Sequence, residues 1–289
     1  MITLALNTQI GIAEELALLA STCLHHEIDT YPKPGLVSPV DTGAHRDMTA
    51  AMLHASADLL MPFFAELAAA GAQGAEMRRL RIIGIEAERA MLEATGGVNT
   101  YRGAIFGLGL LAAAAGYRSA SGDDERLGDI VARLWGGSIL TGPTLSHSHG
   151  SEAARRYGAG GARWQAANGF PALYRIGLPA LLAGEQLSHG HAEMARVQCC
   201  FALIAILDDT NLLHRGGQEG LDFARNSAVG FITRGGVGRA GWREEARAIH
   251  QAFVDRNLSP GGAADLLAMS LFARAQENSQ KNRMTRETC

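Results

Sequence analysis

The sequence has no CxxC pair among its four cysteines, Cys23, Cys199, Cys200 and Cys289. Neither a zinc ribbon nor a thiol redox motif is suggested. Cys199 and Cys200 adjoin inside an apolar run, where cysteine serves as a small core residue, and the inventory fits a reducing compartment. A basic excess is also missing: 26 Lys and Arg face 29 Asp and Glu, a formal net charge of −3. That excludes a generic nucleic-acid binder. Aromatic residues are only 6% of the chain, too few for a base-stacking platform. The weakly polar stretch at residues 104–116 falls short of the ~20 residues that span a bilayer. The N-terminus has no basic n-region, and Glu14 and Glu15 interrupt its apolar character. We therefore expect no membrane segment, no export and a cytoplasmic protein. Period-two alternation of β-branched residues is nearly absent, which leaves strands without support.

What is present is glycine, 35 residues in 289, about 12% against a usual ~7%. Alanine and leucine are abundant too, and apolar residues recur at three- and four-residue spacing. Leu16, Leu19, Cys23 and Leu24 form one stripe; Met52, Leu53, Leu59, Leu60, Phe63, Phe64 and Leu67 form a second; Ile82, Ile85, Ala90 and Met91 form a third. Further helices are expected near 98–116, 124–135, 149–157, 170–187, 190–207, 219–233, 240–254 and 260–275. Glycine-rich junctions separate them at fairly even spacing, so none marks a domain boundary. The expectation is a single compact all-α domain over residues 1–275, with glycine-rich interhelical turns, followed by a polar, frayed tail at 276–289.

Glycine at a helix C-terminus is an ordinary cap. Several junctions, however, also carry dense polar clusters. The first is EIDTYPKPGLVSPVDTGAHRDM, residues 27–48, whose three prolines forbid a regular helix and make a stiff loop. Lys33 and Arg46 could serve there as phosphate cations, with backbone amides as anion donors. The second, EATGGVNTYRGAIF, ends one helix at Gly96 and Gly97 and starts another near Asn99, either as an N-cap or as an anion site with Arg102 as a clamp. It is neither a Walker A loop nor a GxGxxG after a strand. The third runs from residue 140 to 163. Its His147 and His149 would face opposite sides of a helix and have no third ligand nearby, which disfavours zinc. Arg155, Arg156 and Arg163 add positive charge.

The fourth cluster, LDDTNLLHRGG, places Asp208 and Asp209 at the end of an apolar helix. Adjacent carboxylates there are costly unless paired or metal-bound. Oxygen ligands and phosphate substrates suit Mg²⁺; the competing reading is an exposed end paired with Arg215. The fifth, RNLSPGGAADLLA, offers Ser259 as a cap, Pro260 at the first helical position, and Asp265 as a further metal or cation ligand. Read alone, the residues describe a helical enzyme with a metal–carboxylate site and several anion sites at helix ends.

These five clusters, in this order and spanning roughly residues 25–270, resemble the triphosphoribosyl-dephospho-CoA synthase family. YPKPGLVSPVDTG is more similar to members serving malonate decarboxylase than to those serving citrate lyase. The resemblance implies that ATP and 3′-dephospho-CoA are the substrates. The acceptor's ribose 2′-hydroxyl would attack C1 of the ATP ribose and release adenine. The product would be the prosthetic-group precursor for an acyl carrier protein, attached by a separate transferase. A homodimer is allowed. The resemblance further suggests Asp208, Asp209 and Asp265 as Mg²⁺ ligands, and Lys33, Arg102, His214 and Arg215 as phosphate contacts. Gly35, Gly96, Gly97, Asn99 and Asn211 would complete the substrate site. Glu27 and Asp47 are the preferred catalytic carboxylates, with His45 as an alternative proton acceptor.

Other readings exist. DDTN could be one motif of a prenyl-diphosphate enzyme, but a second DDxx[DN] is missing. A Mg²⁺-dependent ADP-ribosyl hydrolase would release ADP-ribose instead of transferring triphosphoribose. A non-catalytic carrier-protein adaptor would give no reason for Asp, His and Arg at glycine turns.

Overall fold

Each alanine- and leucine-rich periodic segment among the described residues folds as a helix. The computed structural model describes residues 2–143, 156, 158 and 160–287. Among these there are eleven α-helices and no strand: α1 Ile2–Ile28, α2 Ala50–Ala72, α3 Met77–Ala94, α4 Arg102–Ser121, α5 Leu127–Thr141, α6 Gly161–Ala167, α7 Leu178–Leu187, α8 Ala192–Ile206, α9 Thr210–Thr233, α10 Trp242–Asp255 and α11 Gly261–Glu287. A π-helical turn, Leu173–Gly177, precedes α7. Apart from residue 156, the expected helix at 149–157 lies outside the described residues, as do His147, His149 and Arg155.

The core is organised around α4, which is buried on nearly all sides from Ala104 to Gly116. Alpha-helices can approach this closely only where side chains are small. A Cβ placed on Gly71 of α2 would lie 1.9 Å from the Ala113 carbonyl oxygen of α4, and one on Gly116 would lie 2.0 Å from that of Ala68. Much of the glycine excess therefore serves backbone-to-backbone packing, not only the turns. Leu53, Leu60, Phe64 and Leu67 of α2 are buried, and α2 packs against α1 and α4. This helix is the one described helix long and apolar enough to cross a membrane, with a mean hydropathy of 1.2 over its best window. It contains Pro62.

Three sequence expectations change here. In α3 the buried face is Leu80, Ile83, Ala87 and Met91; of the expected stripe Met91 is buried and Ala90 half-buried, while Ile82 and Ile85 are exposed. The helix expected at 219–233 begins at Thr210 and breaks at Gly217, whose φ of 60° and ψ of −159° interrupt the helical path. The last helix continues through residue 287, past the start of the expected tail at 276. Arg118 of α4 reaches the Gln276 carbonyl at 3.3 Å and Glu277 at 3.5 Å, which ties that turn to the core.

Candidate active site

The loop at residues 29–49 joins α1 to α2 and is folded back onto the molecule. His250 of α10 fixes it: the ring Nδ1 lies 2.7 Å from the Lys33 carbonyl and Nε2 lies 3.1 Å from Asp41. Gly35 has a φ of +67°, and a Cβ there would lie 2.0 Å from the Leu258 carbonyl oxygen. Its glycine is thus required by packing between the first and fifth motifs. The loop meets α9 near its start and the turn before α11, and two groups of polar residues form there.

The inner group is buried and acidic. Lys33 is fully buried, not presented to phosphate as expected: its Nζ donates to the Glu27 carbonyl and to Glu27 Oε1, both at 2.5 Å. Asp209 is 1% exposed. It caps α9, accepting the Asn211 and Leu212 N–H at 2.8 and 3.4 Å on Oδ1, while Oδ2 accepts the Ala263 N–H of α11 at 3.0 Å. A Cβ on Gly262 would lie 3.0 Å from Asp209 Oδ2, and one on Gly261 2.7 Å from Asn211 Nδ2. The paired glycines of the fifth motif let these two helix starts meet.

Asp265 accepts the Ala104 N–H at the start of α4. A Cβ on Gly103 would lie 1.9 Å from its Oδ2. Three helix N-termini therefore converge on two carboxylates, and their positive ends offset the cost of burying them. Burial raises the proton affinity of both acids. For Asp265, the charges of Glu27 and Asp209 raise it further, and the Ala104 N–H opposes. Tyr101 completes the group. It is 5% exposed, and its hydroxyl has no partner.

The rim is half-exposed. His45 Nε2 lies 2.8 Å from Ser259 Oγ, and Arg215 Nη2 lies 3.3 Å from His45 Nδ1. Arginine only donates, so Nδ1 accepts and Nε2–H donates to Ser259. The accepting nitrogen of His45 is thus already engaged by Arg215. Arg215 also donates to the Ala44 carbonyl at 2.9 Å and to Asn257 Oδ1 at 3.0 Å. Asp47, with a side chain 60% exposed, lies 3.6 Å from His45 Nδ1. Burial and the Arg215 charge lower the His45 pKa, while Asp47 opposes. Arg46 and His214 are exposed.

Other expected residues lie elsewhere. Asp208 points outward and pairs with Arg225 at 2.6 Å, its side chain 61% exposed. It does not join Asp209, and its partner is not Arg215. Among the described residues no three His, Cys, Asp or Glu side chains are grouped to hold a metal. Asp208 points away from the buried Asp209, so the trio Asp208, Asp209 and Asp265 does not come together as a Mg²⁺ site. Arg102 Nε pairs with Glu88 at 2.6 Å, and Asn99 Oδ1 accepts the Arg102 N–H at 3.0 Å as a cap. Gly96 and Gly97 have positive φ, are exposed, and face open space. Arg163 caps the end of α5, donating to the Gly142 and Pro143 carbonyls at 2.9 Å.

Residues 13–284 match the family model described as ATP:dephospho-CoA triphosphoribosyl transferase, CitG. The chain belongs to this family. Similar proteins are the probable 2-(5″-triphosphoribosyl)-3′-dephosphocoenzyme-A synthases of Stutzerimonas stutzeri strain A1501, Pseudomonas putida and Azotobacter vinelandii. The first is 42% identical over 90% of this chain and 91% of its own length. The second is 40% identical over 92% and 95%. The third is 40% identical over 91% and 91%. No solved structure matches the chain. Within the transferase family frame, sequence reasoning missed Tyr101 and His250. A lone tyrosine after an expected cap and a lone histidine on an amphipathic helix carry no local signal.

Proposed function

We propose that this protein transfers the triphosphoribosyl group of ATP to the ribose 2′-hydroxyl of 3′-dephospho-CoA and releases adenine. Membership of the transferase family supports the reaction class. The observation that carries the site assignment is the separation of charge: Glu27 and Asp209 are buried with the half-buried Asp265 beside them, while Arg46 and Arg215 lie outside them. A triphosphate is repelled by buried carboxylates and favoured at a cationic rim. A ribose whose C1 gains positive charge is favoured beside carboxylates. The sugar is accordingly assigned to the inner group and the phosphates to the rim.

In this reading the C1–N bond to adenine breaks as the acceptor oxygen bonds to C1. The acceptor's proton passes to a carboxylate, and the departing adenine takes up one proton, so the net reaction releases neutral adenine. Asp265 is the proposed base: it is partly accessible, and its raised proton affinity suits proton removal. Glu27, neutralised by Lys33, sets the local field. Asp47 and His45 serve the rim, in place of the Glu27–Asp47 pair favoured by sequence. Magnesium enters as an ion carried on the ATP triphosphate, not as one held by an aspartate trio.

The finer assignment is to malonate decarboxylase, supported by YPKPGLVSPVDTG, with the product passed to a transferase that loads an acyl carrier protein. The test is chromatography of ATP, Mg²⁺ and dephospho-CoA with the protein. Adenine formed only when dephospho-CoA is present supports the transferase. Adenine or ADP-ribose formed without an acceptor would indicate hydrolysis instead.

A further inference from the structure

Tyr101 stands at the start of α4, after the open turn of Gly96 and Gly97. Its ring is buried, and its hydroxyl neither donates nor accepts a hydrogen bond. Next to it, Thr100 Oγ1 is also buried without a partner. A buried hydroxyl without a partner costs about 1–3 kcal/mol and calls for an explanation. The charged groups acting on Tyr101 are, in order, Glu27, Asp265 and Asp29, all carboxylates. Burial, and after it these charges, push its pKa well up, so the phenol keeps its proton and can donate.

The surroundings define the chemistry of a ligand there. A phosphate oxygen would meet carboxylates, of which only Glu27 has a buried cation beside it. A second cation is unnecessary, because Lys33 already neutralises Glu27. A neutral hydroxyl satisfies all parties: it accepts from Tyr101 and donates to a carboxylate. Riboses present such hydroxyls, and carboxylates are common ribose partners. We propose that the Tyr101 hydroxyl binds a ribose hydroxyl of a nucleotide substrate and orients it against the carboxylates of Glu27 and Asp265. This assignment rests on the transferase reading above. Tyr101 would be a substrate contact that fixes sugar orientation, with proton removal left to Asp265.

Two riboses could supply the hydroxyl, that of ATP and that of dephospho-CoA. Tyr101→Phe retains the buried ring and removes one oxygen. Its melting temperature should equal or exceed that of the wild type, because a partnerless hydroxyl is lost. A clear drop would mean that the hydroxyl is satisfied within the protein, and would overturn the proposal. With ATP and dephospho-CoA, kcat/KM should fall about tenfold or more. Substituting 2′-deoxy-ATP and, separately, 3′-deoxy-ATP separates the sources. If Tyr101 holds an ATP ribose hydroxyl, wild type and variant become equal on the analogue that lacks it. If it holds the acceptor, the gap persists and KM for dephospho-CoA carries it. A variant within twofold of wild type in kcat and in both KM values overturns the proposal. Should the wild type itself not turn over, the transferase reading has failed separately. Calorimetric titration with ATP and with dephospho-CoA then decides, and unchanged affinity for both in Tyr101→Phe overturns the contact.

Discussion

The inner group and the rim are built from the same sequence motifs but differ in burial and in the sign of charge. Inside, Glu27 and Asp209 are enclosed with Asp265 half-buried beside them, and the compensation is structural: one buried lysine and three helix N-termini. On the rim, Arg215, His45 and Asp47 face one another at 3.3 and 3.6 Å, with Asp47 largely exposed. The contrast is sharpest between neighbours. Asp208 and Asp209 are identical side chains, yet one pairs with Arg225 in solvent while the other caps two helices in the interior. Charge that is solvated can follow a ligand. Charge that is buried must be held by fixed partners, and it then acts as a preorganised field.

The largest expected effect tests that neighbour contrast. Asp209→Ala leaves three helix-start N–H groups without their acceptor, and should cost about 3–5 kcal/mol in urea unfolding. Asp208→Ala, at an exposed ion pair, should cost under about 1 kcal/mol in the same assay. Equal costs would break the distinction.

Next is the buried pair. Glu27→Gln strands the Lys33 charge and should destabilise by about 3–5 kcal/mol. The double variant Glu27→Gln, Lys33→Met should recover much of that loss, because neither charge then stays buried alone. A double variant as unstable as the single would show that the pair is not what holds the loop.

The rim should respond through binding. Arg215→Ala is expected to raise KM for a nucleotide substrate about tenfold, with the effect shrinking as salt is raised. Steady-state kinetics at two ionic strengths checks it. A salt-independent loss would mean that Arg215 acts only by holding Ala44 and Asn257.

The smallest effect is in pH. His45 has a pKa below the ordinary 6.5 because it is buried beside Arg215. As pH falls through 6.5, the unfolded chain takes up a proton that the folded chain resists. Stability contributed by neutral His45 is therefore full above 6.5 and is lost as pH drops below it. Urea midpoints from pH 7.5 to 5 should decline less steeply in His45→Gln than in wild type, by no more than about 1.4 kcal/mol per pH unit. Parallel declines would remove His45 from this role.

Sequence periodicity determined the all-α architecture, because packing spaced at three and four residues needs no long-range information. It also determined most of the residues gathered at the site, because proline and glycine force polar clusters into loops and helix ends. The motif order carried the family. Tertiary structure alone decided the environments. Asp208 and Asp209 are indistinguishable until the break between α8 and α9, bent by 59°, turns one outward and one inward. Lys33 reads as a surface cation until the loop folds it onto Glu27. Gly71, Gly103 and Gly116 carry no packing signal in the sequence; only the neighbouring groups in the fold show that there is no room for a Cβ. The physical reason is common to all three: solvation, and thus the meaning of a charge or of a missing side chain, is set by what packs against it from elsewhere in the chain.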